Sequence, residues 1–498
     1  MLVNVDWELL LATGSIDDLW DKFTDKISIA CKENKPECKF KPKDYDTPWM
    51  DKGTLSAVQN KRKMWKKYKY CRSPHNKDHA KTVSSMKVRE AQARYEKSVA
   101  LKAKEDPKVF WRYLQSKTKV KESIQCIVDE NGEVHTDNGT KAGLLNNVFQ
   151  SVFTKEPDFH ILPTFNSRTD LRLENVMFDE NTVKKYLSKV KESKSQGSDS
   201  IHLKLIKEMG VSISKPVTKI FNKSMEEKKL PKIWKIANIT PIHKKGHKYD
   251  VSNYRPISLT SIICKTMEKI IRDTLMSHME ENNFFTVHQH GFRKGRSCVT
   301  QLIEVVEKWT EELDNHNSID TIYLDFQKAF DTVPHKRLMH KLKGYGISGN
   351  LLHLIEDFLH DRKQRVLLNG AHSAWSTVTS GIPQGSVLGP ILFTIYINDL
   401  TDVIENMVKL VADNTKVYAA VNNTDEIDSL QSDIERLMNW SDTWLLKFNK
   451  SKCKHTHLGP ETGTSYSMLD DTIELSNEEK DLGITIDSKL STTYQYSS

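Results

Sequence analysis

The spacing of hydrophobic positions predicts a chain of mixed helices and strands from about residue 180 onward. Apolar residues that recur every three to four positions predict helices over residues 180–192, 202–226, 261–282 and 299–313. Short β-branched and aromatic runs predict strands near residues 236–242, 320–326, 364–369, 407–412 and 415–421. These segments do not follow a regular β–α–β alternation, so we expect an α+β fold.

The first part of the chain is polar and helix-prone. Residues 81–104 predict a long charged helix, which is either an exposed structural helix or an arm that faces nucleic acid. Asn131 and Gly132 lie between two short apolar runs and predict a small hairpin. Residues 144–153 predict an amphipathic helix.

The length of the chain indicates how many domains to expect, and its charge indicates a candidate partner. A chain of 498 residues can bury a large core and is expected to hold more than one domain. Lys and Arg number 74 against 66 Asp and Glu, a net charge of +8. The segment Lys61–Arg72 has basic residues interleaved with Trp65, Tyr68 and Tyr70 and contains no acid. It suits a nucleic-acid strand with stacked bases, and equally a solvated helix whose aromatic rings pack inward.

Cysteine spacing and hydropathy indicate the cellular compartment that the chain suits. The seven Cys form no CxxC pair, so neither a disulfide framework nor a strong zinc motif is predicted. Cys453, His455 and His457 alternate on a predicted strand and are a weak metal-site candidate. No apolar run approaches the roughly 18 residues that span a bilayer, so we expect no membrane partner and a reducing intracellular compartment.

Two aspartates at strand ends are the main candidates for chemistry. Asp325 lies near the end of the run 320–326, where a carboxylate after a buried strand needs a compensating group such as a metal ion. Asp413 and Asn414 lie between two strand-like runs and predict a two-residue hairpin turn with positive φ angles. That hairpin is explained equally well by a purely structural turn.

Loops around the predicted strands supply further polar groups. Lys244, Lys245 and Arg255 could neutralise a triphosphate, and residues 291–296 form a second basic loop. The glycine-bearing loop 381–386 includes Gln384 and allows close approach to a ligand.

One further acid lies between these loops. For Asp331 we favour a helix-capping role over catalysis, with Pro334 early in the following helix.

Six blocks in a fixed order resemble the reverse transcriptase of non-LTR retrotransposons, of the Jockey/CR1-like group. They are Asn253–Leu259, Gln289–Ser297, Tyr323–Asp331, Gly381–Gly389, Ile395–Leu400 and Asp481–Asp487. The resemblance implies an RNA-directed DNA polymerase that adds dNTPs to a primer 3′-hydroxyl by two-metal nucleotidyl transfer, copying an RNA template. It implies a right-hand polymerase with fingers over residues 161–315 and a palm with primer grip over residues 316–487.

The same resemblance predicts roles for individual residues. Asp325, Asp413 and Asn414 would hold Mg²⁺, or Mn²⁺ in its place, while Lys452 is expected to protonate pyrophosphate. Five residues would contact the incoming dNTP, with Phe330 excluding the ribose 2′-hydroxyl: Lys244, Arg255, Phe330, Gln384 and Gly385. The expected partners are an RNA template and a DNA primer.

The departures from the family pattern predict a weakened enzyme. Asn414 stands where the family has a second Asp, so we expect weaker metal binding and slower chemistry. Residues 1–160 are expected to form a basic, mostly helical extension without the family's endonuclease, and residues 488–498 a stub of its thumb. The alternative is an impaired nucleic-acid-binding remnant. A nuclear location would fit the family's mode of action, although no import signal stands out.

Overall fold

The computed structural model describes residues 2–34, 49–71, 74–104, 106–118, 124–157, 162–191, 195–460 and 463–490. The chain forms two compact units, one over Asn34–Ile124 and one over Met1–Glu33 together with Gln125–Ser498. Most of the predicted thumb stub, 488–498, lies outside the described residues. Within the described ranges, no helix is long and apolar enough to cross a membrane.

The larger unit begins with two helices, α1 (Trp7–Leu10) and α2 (Ile16–Asn34). Trp20 packs edge-on against Trp234, with ring centroids 5.1 Å apart, and Phe23 is fully buried. These first helices are therefore part of the core of the larger unit.

The described residues of the smaller unit form three helices, α3 (Lys52–Cys71), α4 (Pro74–Ala103) and α5 (Pro107–Thr118). The predicted helix over residues 81–104 is the second part of α4. Helix α3 carries the basic segment except for Arg72, which lies outside the described residues. Tyr70 is 89% exposed and Trp65 45% exposed, whereas Tyr68 is partly buried. Two of the three rings are thus on the surface, and the third is half-buried.

The larger unit continues with the predicted hairpin and three helices. They are β1 (Ile127–Val128), β2 (Val134–His135), α6 (Asn138–Ser151), α7 (Glu180–Ser188) and α8 (Leu203–Glu227). The next elements are β3 (Ile236–His243), β4 (Tyr254–Leu259), α9 (Ile262–Glu281), α10 (Cys298–Asp314) and β5 (Ile319–Leu324). The predicted helices and strands of this region agree with the structure to within a few residues, and the α+β fold is confirmed.

A helical stretch and three short strands follow β5. They are α11 (Ala329–Thr332), α12 (His335–Gly344), α13 (Gly349–Leu359), β6 (Lys363–Leu368), β7 (Ala371–His372), β8 (Ser376–Thr377) and α14 (Gly389–Tyr396). The capping role predicted for Asp331 is wrong, because Asp331 lies inside the first turn of α11 and Lys328 occupies the cap position. Pro334 is the N-cap of α12 and precedes the helix.

The remaining elements complete the larger unit. They are β9 (Met407–Val411), β10 (Asn414–Ala420), α15 (Thr424–Trp444), β11 (Lys454–Leu458), β12 (Ser467–Met468), β13 (Asp471–Thr472), β14 (Glu474–Leu475), β15 (Glu478–Asp481) and β16 (Ile484–Asp487).

The central sheet has the strand order β14–β11–β5–β10–β9. Strand β5 runs antiparallel to both β10 and β11, so it lies in the middle of the sheet. Ile322 and Leu324 face the large core, which also buries Leu437 of α15. Ile319 faces a smaller core with Trp309 of α10. Because both faces are covered, the sheet holds the ends of its strands in fixed positions.

A second sheet has the order β4–β3–β6–β7, with β8 also paired to β6. Strands β3 and β4 form an antiparallel hairpin in which Ile242 is paired with Arg255. This hairpin carries the basic residues that the sequence singled out.

Candidate active site

Asp325 and Asp413 lie at the same end of two paired strands. Leu324, the last residue of β5, pairs with Thr415 of β10, so Asp325 and Asn414 are the next residues at this end of the two strands. Ala412 and Asp413 form the two-residue turn between β9 and β10, because Val411 pairs with Asn414. The turn was predicted one residue too late. The positive φ of +56° belongs to Ala412, and Asn414 is the first residue of β10.

Four of the predicted residues lie close enough at this strand end to influence one another through their charges. Partial burial raises the pKa of the Asp413 carboxyl, and the negative charge of Asp325 raises it further. The positive charges of Lys244 and Arg255 act in the opposite direction. Two carboxylates that repel each other beside two cations form a polar site at the edge of the sheet.

Lys452 joins the same site from a 3₁₀ turn over Lys450–Lys452. Its ammonium group forms an ion pair with the Asp325 carboxylate. The backbone amide of Asn449 donates to the Asp325 carbonyl at 2.7 Å, which fixes this turn beside β5. Lys452 thus neutralises one of the two aspartates.

Lys244 and Arg255 reach the site from the β3–β4 hairpin. The Lys244 amide donates to the Asn253 carbonyl at 2.8 Å, which extends the hairpin pairing past β3. Partial desolvation lowers the pKa of Lys244, and the charges of Lys452 and Arg255 lower it further. Such crowding of cations favours an anionic ligand, because a ligand with negative charge would relieve their repulsion.

Phe330, Gln384 and Gly385 form a second group. The Gln384 carbonyl accepts from the Ser258 amide at 2.7 Å, and a Cβ added at Gly385 would lie 2.9 Å from the Ser258 carbonyl oxygen. Gly385 therefore allows the loop to lie flat on β4. Phe330 stacks on Phe393 of α14, with ring centroids 4.7 Å apart.

The side chain of Gln384 is held by an acid that the sequence assigned to another role. Gln384 Nε2 donates to Asp331 Oδ2 at 2.8 Å. Burial raises the pKa of Asp331 to about 6, while the Gln384 bond and the charge of Lys328 act to lower it. Asp331 therefore orients a loop residue instead of capping a helix.

An open cleft of about 360 Å³ adjoins the two aspartate strands. It includes Asp325 and Asn414 but not Asp413, and polar residues predominate in its lining. The hairpin β15–β16 contributes to it from the opposite side, through Glu479 and Asp481. Asp481 forms a buried ion pair with Lys416 of β10, which attaches the hairpin to the central sheet.

Two supporting residues were missed by the sequence reasoning. Glu268 of α9 is 2% exposed and accepts from the amides of Val387 at 2.6 Å and Leu388 at 3.1 Å. It holds the start of α14, and no sequence signal distinguished it from the three other acids of α9. Gln289 is 1% exposed and contacts the Ala412 amide.

The two histidines of the weak metal-site candidate and the arginines of the second basic loop contact other groups of the protein. His455 Nε2 and His457 Nδ1 lie 3.0 and 2.6 Å from Asp320 Oδ1, and Asp320 is fully buried. The acidic neighbour of both histidines is therefore Asp320. In the second basic loop, Arg293 and Arg296 each donate to a backbone carbonyl at 2.8 Å, which makes this loop a structural one.

Comparison with known proteins identifies the region that carries this site. Residues 242–487 match the family model for reverse transcriptase (RNA-dependent DNA polymerase). The RNA-directed DNA polymerase from mobile element jockey of Drosophila melanogaster is 31% identical over 320 residues, which cover 62% of this chain and 35% of that protein.

Two other Drosophila melanogaster proteins match at a similar level. The probable RNA-directed DNA polymerase from transposon BS is 30% identical over 60% of this chain and 34% of its own length. The probable polymerase from transposon X-element is 30% identical over 63% of this chain and 35% of its own length. The chain thus spans about a third of the length of these relatives.

Proposed function

Since residues 242–487 belong to the reverse transcriptase family, we propose that this chain is an RNA-directed DNA polymerase of a non-LTR retrotransposon. It would add dNTPs to a primer 3′-hydroxyl while copying an RNA template. The observation that carries this proposal is the proximity of Asp325 and Asp413 at one strand end, with Lys244 and Arg255 beside them. All three relatives are named as polymerases, which favours this function over that of a binding remnant.

The residues at the strand end fit a divalent metal site. The raised pKa of Asp413 results from burial and the Asp325 charge, and a divalent cation would relieve both effects. Carboxylate oxygens of Asp325 and Asp413 and the amide oxygen of Asn414 are donors that Mg²⁺ accepts, as does Mn²⁺. Bound Mg²⁺ would activate the primer hydroxyl and stabilise the leaving pyrophosphate. Asn414 brings no charge, so we expect weaker metal binding than in a site with three carboxylates.

The cations around the aspartates would bind and orient the nucleotide. Arg255 offers bidentate contacts to a phosphate, and Lys244 adds a second charge from the same hairpin. Lys452 would move from Asp325 to the pyrophosphate and give it a proton.

The loop that packs on β4 would support the base and sugar of the same nucleotide. Gln384 and Gly385 would contact the incoming dNTP, with Gln384 oriented by Asp331. The ring of Phe330, fixed against Phe393, would exclude a ribose 2′-hydroxyl.

The chain regions take corresponding roles in this proposal. Residues 161–315 would form the fingers, which supply the basic hairpin, and residues 316–487 the palm, which supplies the central sheet. The hairpin β15–β16 would act as the primer grip, and its attachment through the Lys416–Asp481 ion pair supports this. Residues 1–160 would form the N-terminal extension, and residues 488–498 the start of a thumb.

The RNA template and the DNA primer are the proposed nucleic-acid partners. The basic face of α3 is a candidate contact, because Tyr70 is exposed among the exposed cations Lys63, Lys66 and Lys67. An aromatic ring among cations suits a single strand with unstacked bases.

Primer extension tests the proposed function. The full chain is incubated with a primed RNA template, dNTPs and Mg²⁺ or Mn²⁺, and product is resolved at single-nucleotide length. We expect slow extension that disappears in Asp325→Ala and in Asp413→Asn, and persists in Asp129→Asn, which changes an acid of the β1–β2 hairpin. Extension that survives both aspartate substitutions, or none in the parent protein under either metal, would contradict the proposal.

A further inference from the structure

The turn that carries Asp413 holds a non-glycine residue in a left-handed conformation. Ala412 has a φ of +56° and is 9% exposed. This backbone region is unfavourable for alanine by about 1–2 kcal/mol. Such a conformation persists only where the surrounding structure imposes it. The contacts of Ala412 therefore indicate what fixes the turn.

A segment from the Gln289–Ser297 block runs alongside β9. The His288 carbonyl accepts from the Leu410 amide at 3.0 Å, and the His290 amide donates to the Leu410 carbonyl at 2.8 Å. Gln289 is bridged in parallel to Leu410. The backbone of residues 288–290 thus extends the central sheet past its β9 edge, next to the turn.

The side chain of Gln289 ties this segment to the turn. Gln289 Oε1 accepts from the Gly291 amide at 2.6 Å and from the Ala412 amide at 3.1 Å. The side chain is 1% exposed, so water does not compete for this oxygen. One buried acceptor therefore fixes the amide of the residue in the left-handed conformation.

Gly291 makes this contact sterically possible. A Cβ at position 291 would lie 2.3 Å from the Ala412 nitrogen and 2.9 Å from Gln289 Oε1. Any other residue would displace the segment from the turn, so Gly291 is required here for close approach.

The supporting segment is itself anchored on α10. His290 is 1% exposed, and its Nδ1 lies 3.1 Å from Thr300 Oγ1. Thr300 also forms the capping box of α10 with Ser297. Helix α10 packs on β5, so one element positions the supports of both aspartates.

We propose that Gln289 and Gly291 are positioning residues that hold Ala412 in its left-handed conformation and so fix the direction of the Asp413 carboxyl. The expected effect on metal binding rests on the proposed function, since Asp413 is a proposed metal ligand. Neither residue is proposed to touch the substrate.

Hydrogen exchange followed by mass spectrometry tests the support without metal or nucleotide. In metal-free buffer, Gln289→Leu is expected to speed exchange of peptides over residues 407–416 by about five- to tenfold, from the loss of one hydrogen bond. Gln289→Glu keeps the acceptor oxygen and is expected to retain the protection. Gln364→Leu, a matched change of a buried glutamine in β6, should leave these peptides unchanged. Unaltered exchange of the turn in a folded Gln289→Leu protein would overturn the inference.

Binding of Mn²⁺, measured by electron paramagnetic resonance, separates this inference from the proposed function. We expect Gln289→Leu to weaken binding about tenfold, and Gln289→Glu to bind as the parent does or better. Equal binding by Gln289→Leu and the parent would overturn the positioning role. Binding that does not depend on Asp413 would overturn the proposed metal site, while the exchange result would still decide whether Gln289 holds the turn.

Discussion

Asp325 and Asn414 adjoin Leu324 and Thr415, the last residue pair between β5 and β10. Both residues line the same cleft, whereas Asp413 occupies the turn. At the end of β10, Asp325 therefore shares the cleft with an uncharged amide. The missing charge at position 414 thus lies in the same cleft as a proposed metal ligand.

Asn414→Asp is expected to strengthen Mn²⁺ binding by about tenfold or more, because it adds a negative charge close to the ion. A tenfold gain in affinity corresponds to about 1.4 kcal/mol of binding free energy. Electron paramagnetic resonance measures the binding, and primer extension measures the rate that should rise with it. Asn369→Asp adds the same charge to an exposed turn and serves as the control. Equal effects of the two substitutions would contradict a local role for position 414.

Phe330→Val is expected to reduce discrimination against ribonucleotides by at least about tenfold, because the smaller side chain leaves room for a 2′-hydroxyl. The ratio of incorporation efficiencies for dNTP and rNTP measures this effect. Phe165→Val removes an aromatic ring that packs against Trp444 and should leave the ratio unchanged. An unchanged ratio in Phe330→Val would show that the ring does not act as the gate.

Asp331→Asn is expected to change how stability depends on pH. The folded-state pKa of Asp331 is raised to about 6, so its carboxyl is stabilising below about pH 4. That contribution is lost as the pH rises through about 6. The free energy of unfolding of the variant, relative to the parent, should therefore rise by up to about 3 kcal/mol between pH 4 and pH 7.

Urea denaturation at a series of pH values measures this difference. Asp129→Asn is the control, because hydrogen bonding to His135 lowers the pKa of Asp129, and the contribution of this carboxylate is lost only below about pH 4. Its stability relative to the parent should therefore stay nearly constant between about pH 4 and pH 7. A flat difference for Asp331→Asn would argue against a buried carboxyl at that position.

The triple variant Lys63→Gln, Lys66→Gln and Lys67→Gln is expected to weaken binding of single-stranded RNA and to lower its salt dependence. Each lost phosphate contact should reduce the slope of log affinity against log salt by about 0.7. Fluorescence anisotropy at several salt concentrations measures the slope. The matched variant Lys97→Gln, Lys102→Gln and Lys104→Gln removes three exposed charges from α4 and the residues just after it, and should retain the slope. Equal slopes for both variants would exclude a specific role for α3.

Sequence reasoning was most accurate where one segment contains its own signal. The apolar spacing of Leu302, Val305, Val306 and Trp309 predicted α10. Three of these residues are buried against the central sheet, whereas Val306 is 38% exposed. It was least accurate where a neighbour decides the conformation. The turn at Ala412 and Asp413 was predicted one residue late, because Ala412 takes a left-handed φ that its own sequence does not favour.

The sequence by itself determined the family and the candidate residues, because ordered blocks and strand patterns are local properties. Only the tertiary structure decided that Asn414 shares a cleft with Asp325, that Asp331 orients Gln384 and that Gln289 holds the Ala412 amide. The two hydrogen bonds join residues that are 53 and 123 positions apart in the sequence. Strand register and the packing of a buried amide depend on two segments that are distant in the sequence. Neither segment by itself therefore predicts them.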